Sequence, residues 1–363
     1  MSQLAVGIVG LPNVGKSTLF NSILKREQAL SANYPFATID PNIGIVDVPD
    51  SRLEDLQQAV LKETGKLPPI VRSTIEFVDI AGLVKGASKG EGLGNQFLST
   101  IREVDMIIQV VRDFSDENII REHSKNPNDD TDVINSELLI KDLETIEKKI
   151  KTVSKGTAAH KEAGIMEQVR QLVSSGKFAY DIRALLDEKN YKEFIRPLYL
   201  LTDKEMVYVF NVDETDERLK ESTFAEYKGH LATYINAKLE SELSSLSAED
   251  QQSYLAELGI PISGLDKVIK ICYQKLGLIS FLTAGEKEVR AWEIHRGMTA
   301  QQAAGRIHGD FEKNFIKAEV IKFADYIAVG SRPAARDAGK LRLEGKEYIV
   351  QDGDVIEFKI GST

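Results

Sequence analysis

The chain has 363 residues, 42% of them hydrophobic, and carries 46 basic against 56 acidic side chains for a formal net charge of −10. That length predicts two or three domains with buried cores, and the acidic balance excludes nucleic-acid binding by diffuse positive charge, leaving a local basic patch as the only route to RNA. The single cysteine, Cys272, excludes an intramolecular disulfide and reads as a small buried hydrophobe.

The first three residues lead into an apolar stretch without the charged start, apolar middle and cleavage site of a secretion signal. The longest apolar runs, such as Met106 to Val111, are far shorter than the ~20 residues that cross a bilayer. A soluble cytoplasmic protein with no membrane contact is the expectation.

Leu4 to Val9 reads as a buried strand and Thr18 to Leu24 as the first turns of a helix. Between them, Gly10-Leu11-Pro12-Asn13-Val14-Gly15-Lys16-Ser17 fits the phosphate-binding pattern G-x-x-x-x-G-K-[ST]. Gly10 and Gly15 let the backbone turn tightly, so that consecutive N–H groups and the positive end of the following helix face an oxyanion. Lys16 adds a charge that reaches the β- and γ-phosphates, and the Ser17 hydroxyl can ligate magnesium.

Asn33 to Asn42 carries two prolines and reads as a loop, with Thr38 where a switch would hold a second magnesium-ligating hydroxyl. Gly44 to Val48 alternates like a strand, and Ser51 to Lys62 is predicted helical, with Leu53, Leu56, Val60 and Leu61 on one side. Ile75 to Gly82 is a strand ending in D-x-x-G, in which Asp79 would hold magnesium through water and the Gly82 N–H would meet the γ-phosphate. Leu83 to Gly94 holds four glycines, as a loop ordered by γ-phosphate would. Leu83 stands where many switch GTPases keep a water-orienting glutamine. A leucine cannot orient water, so either another group does so or unstimulated turnover is slow. His123, in the polar stretch Arg112 to Thr131 that follows the buried strand Asp105 to Val111, is carried as a catalytic candidate for that task.

From Glu137 the pattern changes. Leu139, Leu143, Ile146, Ile150 and Val153 recur at helical spacing, and Ile165, Val169 and Leu172 continue after a break at Gly156 to Gly164, predicting two short antiparallel helices in a projecting hairpin. Lys148, Lys149, Lys151, Lys155 and Lys161, with His160 and no acid among them, make a positive tip that could touch phosphate backbone, although a solvated helix end reads the same way.

Lys204 to Phe210 returns to strand and ends in Asn211-Val212-Asp213-Glu214, where GTP-binding proteins carry N-K-x-D. The aspartate of that motif accepts from the guanine ring N–H and amine, whereas adenine presents an acceptor there. The longer Glu214 displaces the acceptor, Asn211 can pair with the N6/N7 edge of adenine, and Val212 removes a lysine stem from over the base. ATP is therefore favoured over GTP. Leu231 to Lys238 reads as the last strand and a base-side loop, placing Asn236 and Ala237 beside the base, and Gly264 to Leu276 as a closing helix. The alternation amounts to an α/β doubly wound sheet interrupted by an insertion at about 137–202. The chain then restarts with strands at Ile279 to Thr283 and Glu288 to Ile294, a helix from Thr299 to His308 opened by Thr299 as N-cap, and short strands including Glu319 to Ile321 and Asp354 to Phe358. This is a small mixed domain without a catalytic constellation, hence a binding module.

With these segments in place the chain resembles the YchF subfamily of Obg-like P-loop ATPases over essentially its whole length. The carrying residues are GLPNVGKS from Gly10, NYPFATIDPN from Asn33, DIAG from Asp79, NVDE from Asn211 and AVGSRPAARDAGKLRLEGKEYIVQDGDVIEF from Ala328. The resemblance implies a TRAFAC-class, Obg-like P-loop ATPase domain over 1–278 with the inserted helical hairpin, and a ubiquitin-like (β-grasp) TGS domain over 279–362. It implies a magnesium-dependent, ATP-hydrolysing switch that binds ribosomes in translation or stress responses, with potassium as a second candidate ion and no DNA partner. Carried over by position, Asn13, Val14, Gly15, Lys16, Ser17 and Thr18 would cradle phosphates, Ser17 and Thr38 would ligate magnesium, and Asn211 with Val212 would face adenine. Relatives often carry a histidine directly after an Ile-Ile or Ile-Thr pair, whereas here Arg121 follows Ile119-Ile120 and His123 comes two residues later. The threonine that gives the TGS module its name is Val329, ahead of Gly330-Ser331.

Two other readings stay open from these residues: a GTPase of the same fold with relaxed base choice, and a nucleotide-gated ribosome or RNA adaptor in which hydrolysis is incidental. A metabolic P-loop kinase fits least, since a D-x-x-G switch would have no purpose in it.

Overall fold

The computed structural model describes residues 4–31, 42–80, 99–116, 118–121, 124–152 and 157–361. The Thr38 loop, the segment from Gly82 to Gly94 with Leu83, and the residues His123 and Lys155 lie outside them. The chain divides into two compact units, Met1–Val46 with Glu76–Cys272, and Asp47–Ile75 with Tyr273–Thr363.

Thirteen strands are assigned among the described residues. They are β1 (Ala5–Gly10), β2 (Ile43–Asp47), β3 (Ile70–Val71), β4 (Thr74–Asp79), β5 (Met106–Asp113), β6 (Glu205–Val212), β7 (Ala225–Tyr227), β8 (His230–Ile235), β9 (Leu278–Ala284), β10 (Val289–His295), β11 (Phe315–Lys322), β12 (Arg342–Glu344) and β13 (Asp354–Ile360).

The first unit is built on a seven-stranded sheet in the order β2-β4-β1-β5-β6-β8-β7. Strands β4, β1, β5, β6 and β8 run parallel, and β7 closes the edge antiparallel to β8. All six residues of β1 are buried, as a continuous apolar run in the middle of a parallel sheet requires. The chain turns back between β1 and β5, so the carboxyl ends of β1, β5, β6 and β8 share one edge; an open α/β sheet binds its ligand at such a switch point. Helix α1 (Lys16–Ser31) starts directly at that edge and buries Leu19, Phe20 and Ile23.

The hairpin is longer than its seam predicted. After α2 (Arg52–Thr64), helix α3 begins at Pro127 and runs 26 residues to Thr152, and α4 (Thr157–Ser174) contains Gly164, inside the expected break. The start is set by Asn126, whose Oδ1 accepts from Asp129 N at 3.0 Å, with Pro127 at the first helical position where its missing N–H costs nothing. Ile146, Ile165, Met166, Val169 and Val173 form the buried seam. Asp142 is 1% exposed within it and accepts from Leu201 N (2.7 Å), Thr202 N (2.8 Å) and Thr202 Oγ1 (2.7 Å), which ties α3 to the segment that leads back into β6. Burial pushes its carboxyl up to about 6.

The second unit is a six-stranded sheet in the order β12-β11-β13-β9-β10-β3. Antiparallel β9–β10 and β11–β13 flank a parallel β13–β9 contact, the β-grasp arrangement. Helix α5 (Ala300–Ile307) opens with the expected Thr299 cap, completed as a reciprocal capping box by Gln302. Ala300, Ala303 and Ala304 cover one face of the sheet with Phe281, Val320 and Phe358. The other face is covered from an earlier part of the chain: Leu53, Leu56, Ala59 and Val60 of α2 pack with Leu282, Ala291, Ile321 and Val355. Arg52 fastens this segment, donating from Nε (2.8 Å) and Nη2 (2.7 Å) to Asp50 and from Nη1 (3.0 Å) to Asp352. Residues 47–75, read in sequence as part of the P-loop domain's own series, thus complete the second unit. No helix among the described residues is long and apolar enough to cross a membrane.

Candidate nucleotide site

Gly10 to Ser17 joins the carboxyl end of β1 to the first turn of α1. Leu11 and Val14 are buried and anchor the loop, whereas Asn13, Ser17 and Thr18 are exposed and face open space. Asn13 and Gly15 take the left-handed conformation, with φ of 62° and 95°. At Gly15 a side chain is excluded twice, by that φ and because a Cβ would lie 2.3 Å from Asn211 Nδ2. Lys16 pairs through Nζ with Asp79 at the end of β4, the two side chains being 11% and 22% exposed. A cavity of about 800 Å³ opens over the loop, lined by Asn13, Lys16 and Ser17 and also by Asn211, Glu214 and Lys238.

The rest of the lining is a hydrogen-bonded frame made from the ends of three strands. Asn211 is 5% exposed and spends its amide on backbone: Nδ2 donates to Val14 O at 3.0 Å and Oδ1 accepts from Ala237 N at 2.9 Å. Asn236 does the same one strand over, donating to Val212 O at 2.7 Å and capping the helix Ala237–Leu243 by accepting from Leu239 N at 2.8 Å. Asp213 is turned to Ser115, accepting from its N at 3.2 Å and its Oγ at 2.9 Å. Glu214 and Lys238 are exposed at the rim. What Asn211 retains for a ring is one amide hydrogen and one lone pair.

Of the residues picked from sequence, Asn13, Gly15, Lys16, Ser17, Thr18, Asn211, Val212, Glu214, Asn236 and Ala237 line this one cavity. Val14 is buried beneath it and offers its carbonyl to Asn211, and Asp79 meets Lys16. Thr38, Gly82 and His123 lie outside the described residues. Arg121, which follows the Ile119-Ile120 pair, donates to Arg112 O at 2.5 Å. Sequence reading missed Phe114, Asp116 and Ile119, which also line the cavity. The signal was available, since they directly follow a buried strand at the edge where a doubly wound sheet binds ligands, but the surrounding polarity hid it.

A parallel doubly wound sheet with G-x-x-x-x-G-K-S at its switch point and a lysine–aspartate pair between the ends of β1 and β4 defines a P-loop nucleoside triphosphatase fold. Residues 5–150 match a family model described as 50S ribosome-binding GTPase, and residues 278–361 match the YchF-GTPase C-terminal model, described as a protein of unknown function. The chain is 48% identical to the ribosome-binding ATPase YchF of Bacillus subtilis, covering 98% of this chain and 99% of that protein. It is 46% identical to the protein of the same name from Escherichia coli O157:H7, covering 97% and 98%. The solved structure of the Schizosaccharomyces pombe YchF GTPase superposes with a TM-score of 0.84 at 39% identity, covering 99% of this chain and 98% of that one. The chain belongs to the YchF family.

Proposed function

We propose that this protein is a magnesium-dependent ATPase that works as a ribosome-associated switch in the cytoplasm. The observation that carries the reading is one cavity of about 800 Å³ lined both by the phosphate-loop residues Asn13, Gly15, Lys16 and Ser17 and by Asn211, Val212 and Glu214, within the size range of small-molecule and cofactor sites. The oxygen donors at the phosphate end, the Ser17 hydroxyl and the Asp79 carboxylate, fit a hard divalent cation completed by phosphate oxygens. When bound, magnesium supplies charge neutralisation at the transferred phosphoryl group. In this proposal Thr38 adds a second hydroxyl, the Gly82 N–H and Lys16 hold the γ-phosphate, and His123 is the candidate for orienting water where Leu83 cannot. Unstimulated turnover is then slow and rises on the ribosome. Potassium is kept as a second ion to be tested.

The ribosome contact is assigned to the tip of the α3–α4 hairpin. Lys148 and Lys151 are exposed there, Lys149 is paired with Glu162 at 2.8 Å and Lys161 stands 6.0 Å from the Phe194 ring centroid. Lys148 and Lys151 therefore offer the least encumbered charge for phosphate backbone.

A GTPase of the same fold is the second reading, because the Schizosaccharomyces pombe relative is a YchF GTPase and the N-terminal family model is described as a GTPase. Calorimetric titration with non-hydrolysable ATP and GTP analogues in magnesium decides between them. Tighter binding of the adenine nucleotide is expected, and preference for guanine would reverse the assignment. The ribosome half is checked by co-sedimentation with and without nucleotide, where identical binding in every nucleotide state would favour an adaptor over a switch.

A further inference from the structure

Between β5 and α3 the chain passes through residues 114–116 and 118–121, and Phe114, Asp116 and Ile119 of this stretch form a wall of the nucleotide cavity. The wall is held from three directions. At its outer end Ile120 O accepts from Asn13 Nδ2 of the phosphate loop at 3.2 Å. Beneath it Arg112, 6% exposed, donates from Nη1 to Ile119 O at 2.7 Å and from Nη2 to Asp116 O at 2.8 Å. Arg112 is not among the residues lining the cavity; it holds the backbone of Asp116 and Ile119, which are. At the base, Arg121 donates to Arg112 O at 2.5 Å and stands 3.5 Å from Asp130, whose carboxylate also accepts from Arg112 N at 3.2 Å and from the Ser124 hydroxyl. Asp130 is 2% exposed and lies in the first turn of α3.

Arg112 and the Asp130 carboxylate are buried, and hydrogen bonds from and to buried charged groups are costly to break singly, so this group moves together or not at all. Its partners are the phosphate loop on one side and, on the other, a helix of 26 residues, about 39 Å long at 1.5 Å per residue, whose far end carries Lys148, Lys149 and Lys151. We infer that Arg112, Arg121 and Asp130 form a coupling knot through which occupancy of the nucleotide cavity and the set of the α3–α4 hairpin constrain each other, with Asn13 as the phosphate loop's contact to it. A ring seated against Phe114 and Ile119 fixes the wall, the wall fixes Arg112, and Arg112 fixes the root of α3. Reciprocally, a load on the hairpin tip changes how firmly nucleotide is held, because coupling free energy acts equally in both directions. Arg112, Arg121 and Asp130 are positioning residues here. The inference rests on the proposal that the cavity holds a nucleotide.

The test uses the full chain and mant-ADP. Release is followed by stopped-flow fluorescence for wild type, Asn13→Gly, Arg112→Lys and Asp130→Asn, and amide exchange over residues 127–135 is measured with and without the nucleotide. Glycine accepts the positive φ at position 13, so that variant removes the side-chain bond without backbone strain. Arg112→Lys keeps the buried charge but cannot reach both carbonyls, and serves if a larger change unfolds the protein. Release about 3- to 10-fold faster in each variant is expected, the size of one or two lost hydrogen bonds. Nucleotide-induced protection at 127–135 is expected in wild type and not in the variants. A purely structural role would lower protection there equally with and without nucleotide, which would overturn the coupling. Unchanged release together with exchange at 127–135 indifferent to mant-ADP overturns it as well. Failure of wild type to bind mant-ADP at all would instead remove the nucleotide reading beneath it.

Discussion

Replacing Asp79 by asparagine separates two opposite effects that one carboxylate has on the phosphate end of the cavity. In the structure Asp79 is paired with Lys16, the cation proposed above for the γ-phosphate, so on that proposal nucleotide arriving without magnesium must first take Lys16 away from it. At 11% and 22% exposure the pair is too sheltered for full solvent screening. Two unit charges about 3 Å apart at an effective dielectric of about 20 attract by about 5 kcal/mol. Desolvation of the pair offsets most of that, leaving a net of about 1–2 kcal/mol. Titrating mant-ATP in excess chelator should therefore show Asp79→Asn binding about 5- to 30-fold tighter than wild type. In magnesium the order should invert, because wild type gains a water-bridged ligand to the ion and the variant does not. Equal or weaker binding by the variant in chelator would refute the claim that Asp79 competes with phosphate for Lys16.

Asn211→Ala removes two buried bonds, to Val14 O and from Ala237 N, and should weaken ATP and GTP analogues alike by about 2–4 kcal/mol. A loss confined to the adenine nucleotide in calorimetry would show that the amide reads the base directly. Glu240 is buried, accepts from Gly264 N at 2.7 Å and is pushed up by burial to about 7. Below about pH 4.5 it is protonated whether folded or not; between there and about 7 the folded state keeps a proton that the unfolded state has lost, so stability falls as pH rises, by about 3 kcal/mol. Urea unfolding at pH 5 and 7.5 should show that fall in wild type and a flatter profile in Glu240→Gln. Leu56→Ala empties a fully buried site of α2 and should cost about 2–4 kcal/mol. Hydrogen exchange should report the loss in residues 278–361, with which α2 packs, and not in β1 or α1.

Much of the site could be read from sequence because its chemistry is local. Gly10, Gly15, Lys16 and Ser17 act through neighbouring backbone, and their spacing with a strand before and a helix after is enough to specify an anion cradle. Thr299 with Gln302 is legible for the same reason, since a capping box closes within four residues. Asn126-Pro127 carried an equally local start signal for α3, which the polar stretch Arg112 to Thr131 around it concealed.

The amino-acid sequence by itself therefore determined the phosphate loop, the alternating sheet, the helical hairpin and a separate mixed C-terminal module, each from periodicity or spacing over a few residues. Tertiary structure alone decided that α2 leaves its sequence neighbours to cover the β-grasp sheet, that Asn211 braces Val14 and Ala237, and that Phe114, Asp116 and Ile119 wall the cavity. The reason is physical. An amphipathic helix shows that it has an apolar face but not which sheet will bury it, and an amide shows that it needs partners but not whether backbone or ligand will supply them.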